Sequence, residues 1–217
     1  MPSINKIRVA LIDDHPIFRE GMRTLIERQS DLVVVGEGSD AREAYGIVAN
    51  HHPDVVVVDI QLPGVDGIAA TRELKRRAPD GKVLVLSVHQ GQDWAAEAIA
   101  AGARGYALKS QPTEAVVGAI RTVGRGGTYL PPEFPATLFD ARQHRKPGDD
   151  PLFKLSMRER EVFALLTRGF TNQSVGDELC ISVKTVETHR ARIHRKLDLH
   201  SVAELIRYAA LNGLLRD

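Results

Sequence analysis

The sequence predicts an α/β unit followed by an all-α unit: a five-stranded, doubly wound parallel sheet, then four helices that include a helix-turn-helix. Three observations carry this prediction. Through residues 1–125 short apolar runs alternate with amphipathic segments; between 125 and 154 the alternation stops; from Leu155 onward only helical patterns remain.

The apolar runs are Ile7–Ile12, Leu32–Gly36, Val55–Asp59, Val83–Ser87 and Gly105–Leu108. Several are apolar on consecutive residues, as parallel strands covered on both faces must be. Between them the spacing predicts helices over Pro16–Arg28, Ala41–Asn50, Ile68–Arg77, Asp93–Ala101 and Thr113–Val123. Pro16 and Pro112 stand near helix starts, where a missing N–H costs nothing. Ser39, Asp40 and Thr113 are the expected N-caps. Five such βα units imply right-handed crossovers in one sheet.

Residues 125–154 read as a linker. GRGGTYLPPEFP and RQHRKPGDDP are rich in Gly, Pro and charge, with room for a short helix over Phe134–Arg142. In LSMREREVFALLTRG, Ser156 is the expected N-cap, Glu159 completes a capping box and Gly169 ends the helix. Thr171–Leu179, Ser182–Leu197 and Ser201–Leu211 follow. The tight turn at Cys180-Ile181-Ser182 fits a helix-turn-helix. The expected domains are therefore 1–124, a linker 125–154, and 155–217.

Composition narrows the class. Hydrophobic residues are 43% and charged residues 26% of the chain, an ordinary globular mixture. The 217 residues suffice for two domains. The single Cys180 excludes an internal disulfide and no Cys/His group has zinc spacing, which points to a reducing compartment. With no signal-peptide pattern and no apolar run near ~20 residues, the chain reads as soluble and cytoplasmic. The formal net charge of +1 conceals an asymmetry: residues 155–217 carry 10 Lys+Arg against 8 Asp+Glu, and 1–125 carry 15 against 16. Lys184, Arg190, Arg192, Arg195 and Lys196 cluster beside His189 and His194, with Glu187 the one acid among them. Such a stripe implies a single polyanion-binding face.

In a doubly wound sheet, ligands bind beyond the carboxyl ends of the strands. Asp13 and Asp14 follow the first run, Asp59 ends the third, Ser87 ends the fourth and Lys109 follows the fifth. Crowded carboxylates repel unless a cation joins them, and Mg²⁺ suits carboxylates that also meet phosphate. Each residue alone has a plainer reading: Asp14 as a cap on the first helix, Lys109 as a solvated loop lysine. The joint pattern at four strand ends argues for a site.

LIDDHPIFREGM, PDVVVVDIQLPGVDG, VLVLS and GARGYALKS resemble the receiver domain of response regulators over nearly all of residues 7–124. The resemblance implies a flavodoxin-like fold with Asp59 as phosphoacceptor. Asp13, Asp14, Asp59 and the backbone carbonyl of Gln61 would hold Mg²⁺. Ser87 would be the switch hydroxyl, Lys109 the lysine that pairs with the phosphoryl group, and Tyr106 the aromatic switch residue. Ser110 stands where many receivers have proline. A carboxylate nucleophile accepts a phosphoryl group when the transferring oxygens are neutralised. Ser87 would then turn toward the phosphoryl group and Tyr106 would fill the space from the exposed side.

In Ser182–Leu197, Val186, Ile193 and Leu197 mark the core stripe, with His189 or Arg190 between them. The segment from Leu155 to Leu205 is similar to the LuxR-type helix-turn-helix, and with the receiver in front the architecture resembles NarL/FixJ-type regulators. That implies a positioning helix over Thr171–Leu179 and a recognition helix over Val183–Leu197. Glu187, Thr188 and Ala191 would approach base edges; Lys184, Arg190, Arg192 and Arg195 would meet phosphates. Glu187 keeps two readings, acceptance from a cytosine amino group or pairing with Lys184 or Arg190.

The expected function is that of a two-component response regulator, not a dedicated enzyme. Its expected partners are a sensor histidine kinase, double-stranded promoter DNA, RNA polymerase as a further candidate, and a second copy of itself when active. Val202, Leu205, Ile206, Ala209 and Ala210 offer that copy an apolar surface. Haloacid-dehalogenase-type phosphatases are a rival, but Asp13-Asp14-His15 lacks their Asp-x-Asp pattern. A ligand-sensing LuxR-type activator is another, but the N-terminal half lacks an aromatic-rich pocket pattern.

Overall fold

The computed structural model describes residues 6–63, 65, 67–139, 151–152 and 154–214. The chain divides into two compact units, Met1–His144 and Arg145–Asp217. Residues 140–150 and 153, part of the expected linker, lie outside the described residues, as does most of the leading segment.

In the first unit β1 (Ile7–Ile12), β2 (Leu32–Gly38), β3 (Val55–Asp59), β4 (Val83–Ser87) and β5 (Gly105–Leu108) form one parallel sheet. Its order is β2-β1-β3-β4-β5, so the topology reverses between β1 and β3. The register sets Asp59 opposite Leu86 and Ser87 opposite Leu108, which brings the polar strand ends together. The helices are α1 (Pro16–Glu27), α2 (Ala41–His51), α3 (Gly67–Arg77), α4 (Gln92–Ala100) and α5 (Thr113–Gly124). On one face Met22 and Ile26 of α1 and Val116, Val117, Ile120 and Val123 of α5 pack on Val9, Leu11, Val55 and Val57. Helices α2, α3 and α4 pack in sequence with one another.

Asp40 caps α2 by accepting the Glu43 N–H. The expected cap Thr113 is instead the first residue of α5. Pro112, at φ −52° and ψ 141°, takes the N-cap position and makes no side-chain bond there. The start of the expected linker is structured. Tyr129 accepts the Tyr106 N–H at 3.0 Å and donates its own to the Arg104 carbonyl at 3.1 Å, a bridge beside β5. Phe134 is buried with its ring 6.1 Å from that of Tyr106. A short 3-10 turn, Ala136–Leu138, stands within the stretch expected as a helix over Phe134–Arg142.

The second unit holds α6 (Met157–Thr167), α7 (Asn172–Leu179), α8 (Val183–Leu197) and α9 (Val202–Leu211). The predicted capping box of Ser156 and Glu159 is present, and Thr171, Ser182 and Ser201 cap the other three helices. Glu159, 2% exposed, also accepts from Lys196 at 2.6 Å and so ties the start of α6 to the end of α8. Gly176 lets α7 meet the turn before α8: a Cβ there would lie 2.8 Å from the Ile181 carbonyl oxygen. Leu155, Val162, Phe163, Val175, Val186, Ile193 and Leu205 form the core. Among the described residues no helix is long and apolar enough to cross a membrane.

Candidate functional site

The strand ends of the first unit converge on Asp59. Asp59 is 2% exposed, Asp13 5% and Ser87 0%, so the site is polar chemistry set into a core. Lys109 enters from the end of β5, where its N–H donates to the Ser87 carbonyl at 2.7 Å. Its ammonium reaches Asp59 Oδ2 at 2.8 Å and Asp13 Oδ2 at 2.6 Å, and it lies 4.4 Å from the Phe18 ring centre. The Gln61 N–H donates to Asp59 Oδ1 at 3.2 Å. Burial pushes the Asp59 carboxyl up to about 6; the Lys109 ammonium opposes that shift and the Asp13 charge adds to it.

Gly67 allows this geometry. A Cβ on it would sit 1.9 Å from the Asp59 carbonyl oxygen, so no other residue fits where α3 begins. Asp14 is not a cap on α1. That N-cap is His15, whose side chain makes no capping bond and whose N–H donates to Asp13 Oδ1 at 2.9 Å. The imidazole turns into the site, with Nδ1 2.8 Å from Asp14, 3.3 Å from Asp13 and 3.8 Å from Asp59. The ligand atoms of Asp13, Asp14, His15 and Asp59 all lie within 4.8 Å of one another. Three carboxylates so placed are a donor set that fits a hard divalent ion.

Tyr106 differs from expectation. It is fully buried, not on the exposed side, and its hydroxyl donates to the His89 carbonyl at 2.7 Å. The His89 N–H donates to Ser87 Oγ at 2.9 Å, and the His89 ring stacks on Trp94 at 4.2 Å. Burial pushes the Tyr106 hydroxyl well above its ordinary range. Ser87, Tyr106 and the β4–α4 loop are thus already joined through His89.

Sequence reasoning missed His15, Arg19 and Gln111. Arg19 donates to the Asp13 carbonyl at 2.5 Å and approaches Glu37 at 3.6 Å, which fixes the end of β1. Gln111 accepts the Leu108 N–H at 2.9 Å and donates to the Tyr129 hydroxyl at 3.1 Å, holding the turn where Ser110 stands. No motif marks Arg19 or Gln111; only a polar side chain seven or three positions beyond a strand end hints at them.

In the second unit Lys184, Glu187, Thr188, Ala191 and Arg195 of α8 are exposed, while Val186, His189 and Ile193 face the core. The cationic stripe is thinner than its composition. Lys196 is taken by Glu159, the His194 ring is 2.9 Å from the Leu199 carbonyl, and Arg190 is half-buried against Asn172 at 3.3 Å. Arg192 is half-buried too. Thr188 Oγ1 donates to the Lys184 carbonyl at 2.9 Å. On α9, Leu205 and Ala209 are in the core, whereas Val202, Ile206, Ala210 and Leu211 remain exposed.

Residues 9–121 match the response regulator receiver domain, and residues 154–209 match the luxR family of bacterial regulatory proteins. The chain belongs to the NarL/FixJ-type response regulators. The oxygen regulatory protein NreC of Staphylococcus carnosus (strain TM300) is 36% identical over 215 residues, covering 96% of this chain and 99% of that protein. Among solved structures, response regulator ChrA of a heme-sensing two-component system is 36% identical with a TM-score of 0.51, covering 97% of this chain and 100% of that one. The RcsB–DNA complex is 25% identical with a TM-score of 0.57, covering 95% of this chain and 98% of that one. This response regulator therefore has the expected fold and domain types, and its family comprises transcription regulators, not dedicated enzymes.

Proposed function

We propose that this two-component response regulator takes a phosphoryl group on Asp59 from a sensor histidine kinase and thereby controls dimerisation and sequence-specific binding to promoter DNA. The observation that carries the reading is the buried Asp59 carboxylate, held 2.8 Å from the Lys109 ammonium beside Asp13. Asp59 forms a bond to phosphorus as the bond from phosphorus to the donor breaks, and the electron pair leaves with the donor. Lys109 steadies the transferring oxygens. Mg²⁺ held by Asp13, Asp14, Asp59 and the Gln61 carbonyl would neutralise their remaining charge and align them. Ile17, Val65 and Val88 are exposed on the segments that follow β1, β3 and β4, an apolar rim on which the kinase would rest.

Phosphorylation adds about −1.5 to −2 charge and three acceptor oxygens. Ser87 Oγ turns to a phosphoryl oxygen and gives up the His89 N–H, which disturbs the Tyr106–His89–Trp94 group at the start of α4. In the DNA-binding domain α7 positions and α8 reads: Glu187, Thr188 and Ala191 face base edges, and Lys184, Arg192, Arg195 and Arg190 serve phosphates. Val202, Ile206 and Ala210, four residues apart along α9, supply an apolar stripe to the partner copy. Domain limits of 1–124 and 155–217 with a linker over 125–154, a cytoplasmic location and contact with RNA polymerase complete the proposal.

With Mg²⁺ and a small phosphoryl donor, intact-protein mass spectrometry should find one added phosphoryl group on the wild type and none on Asp59→Asn. Equal labelling of the two proteins would sink the assignment.

A further inference from the structure

We propose that His15 is a nitrogen ligand of the divalent ion at the acidic site, and that it makes the site favour later first-row ions such as Co²⁺ in a way an all-oxygen site would not. This rests on the reading of Asp13, Asp14 and Asp59 as a metal site. Three independent features of His15 support it.

The first is distance. Ligand atoms on an octahedral ion with bonds of about 2.1 Å stand roughly 3.0 Å apart when adjacent and roughly 4.2 Å apart when opposite. His15 Nδ1 lies 2.8, 3.3 and 3.8 Å from oxygens of Asp14, Asp13 and Asp59, with the whole set inside 4.8 Å. Those separations lie close to a coordination shell; the 2.8 Å contact with Asp14 is also a hydrogen-bond distance, which the ring gives up when it takes an ion.

The second is that α1 makes no use of the imidazole, whose contacts among the described residues are those with the three carboxylates. His15 occupies the N-cap of α1, a position at which Ser, Thr, Asp or Asn would accept a helix N–H, and its side chain caps nothing. Pro16 at the first helical position fixes the entry of the helix, and the His15 N–H is held by Asp13. Both constraints fix the backbone of His15 beside the carboxylates.

The third is access. The His15 side chain is 59% exposed while Asp59 is nearly closed off. The imidazole therefore sits on the solvent side of the site, where a ligand can be added without opening the core. Imidazole suits Co²⁺, Ni²⁺ and Zn²⁺, whereas Mg²⁺ prefers oxygen. His15 should thus add to the affinity for the former and little to that for the latter.

The test uses full-length protein titrated separately with Mg²⁺ and Co²⁺. Trp94, the single tryptophan of the chain, gives the binding signal through its stack on His89, and the visible d–d absorption of Co²⁺ reports its ligands. His15→Ala should lower Co²⁺ affinity by about tenfold or more and change the d–d spectrum, with Mg²⁺ affinity within about threefold of wild type. His15→Gln, which keeps a polar side chain without the imidazole, should behave like His15→Ala. Unchanged Co²⁺ affinity, or an equal fall for both ions, would overturn the role of His15 and leave the metal site standing. Failure of both ions to bind the wild type would overturn the metal site itself.

Discussion

At the scale of single residues the site is a contest between burial and charge, and Asp59 shows it most clearly. Its carboxyl is pushed up to about 6, above the unfolded value near 3.9, so the folded state holds the proton more tightly than the unfolded one. The contribution of Asp59 to stability is then most favourable below pH ~4, is lost as pH rises through ~6, and stays unfavourable above. Asp59→Asn removes the buried charge. In thermal melts without metal the variant should be the more stable protein near pH ~7.5, by on the order of 2 kcal/mol, with the gap closing as pH falls toward ~4. A gap that does not vary with pH would contradict this account of Asp59. On α8, Glu187 is exposed and has no hydrogen bond or ion pair among the described residues, which leaves its carboxylate free for DNA. Binding to a panel of half-sites should show a requirement for cytosine at one position, and Glu187→Gln should shift that preference toward adenine. An unchanged base preference in the variant would count against the reading. Asp13, Asp59, Ser87 and Lys109 were legible in the sequence because each polar residue interrupts or follows an apolar strand. His15 was not, because a histidine before a proline looks like any helix flank.

At the scale of elements the strands were legible almost to the residue, since a buried parallel strand writes an unbroken apolar run; only β2 extends further, to Gly38. Helix caps were legible where a side chain does the capping, as at Asp40 and Ser156. They were not legible at α5, where the proline backbone replaces a cap. Helix α8 was legible as a core stripe, yet its charge overstated its free cations. Lys196 serves Glu159 and Arg190 leans on Asn172, contacts between elements that no local pattern records. Gly176 was passed over for the same reason, because its role is a close approach between α7 and the turn before α8. A methyl group there meets the Ile181 carbonyl at 2.8 Å. Gly176→Ala should therefore destabilise the second unit by about 1–3 kcal/mol, despite the better helix propensity of alanine. Urea unfolding followed by far-ultraviolet circular dichroism would detect it, and a stabilised variant would show that the turn yields at no cost.

At the scale of the whole molecule the division into an α/β unit and an all-α unit was legible from a change of period alone. The linker was less so. Gly, Pro and charge mark where regular structure ends, but they do not reveal that Tyr129 and Phe134 pack on the first unit or that Leu152 packs on the second. The contacts of Tyr129 and Phe134 depend on Tyr106, more than 20 residues away. Both units carry an incomplete surface. The first has exposed apolar residues on the segments after β1, β3 and β4, and the second has an apolar stripe on α9 and few free cations on α8. In the proposed reading one such helix would neutralise too few phosphates for tight binding, which is the reason for the proposed pairing of two copies. The central claim is that the chemical state of Asp59 sets DNA affinity. Its most direct test is fluorescence anisotropy of a labelled promoter fragment titrated with full-length protein, with and without a phosphoryl donor and Mg²⁺. The account predicts that donor treatment tightens binding by the wild type about tenfold or more and leaves Asp59→Asn unchanged. Equal tightening of both proteins, or no change in a wild type shown by mass to be phosphorylated, would contradict it.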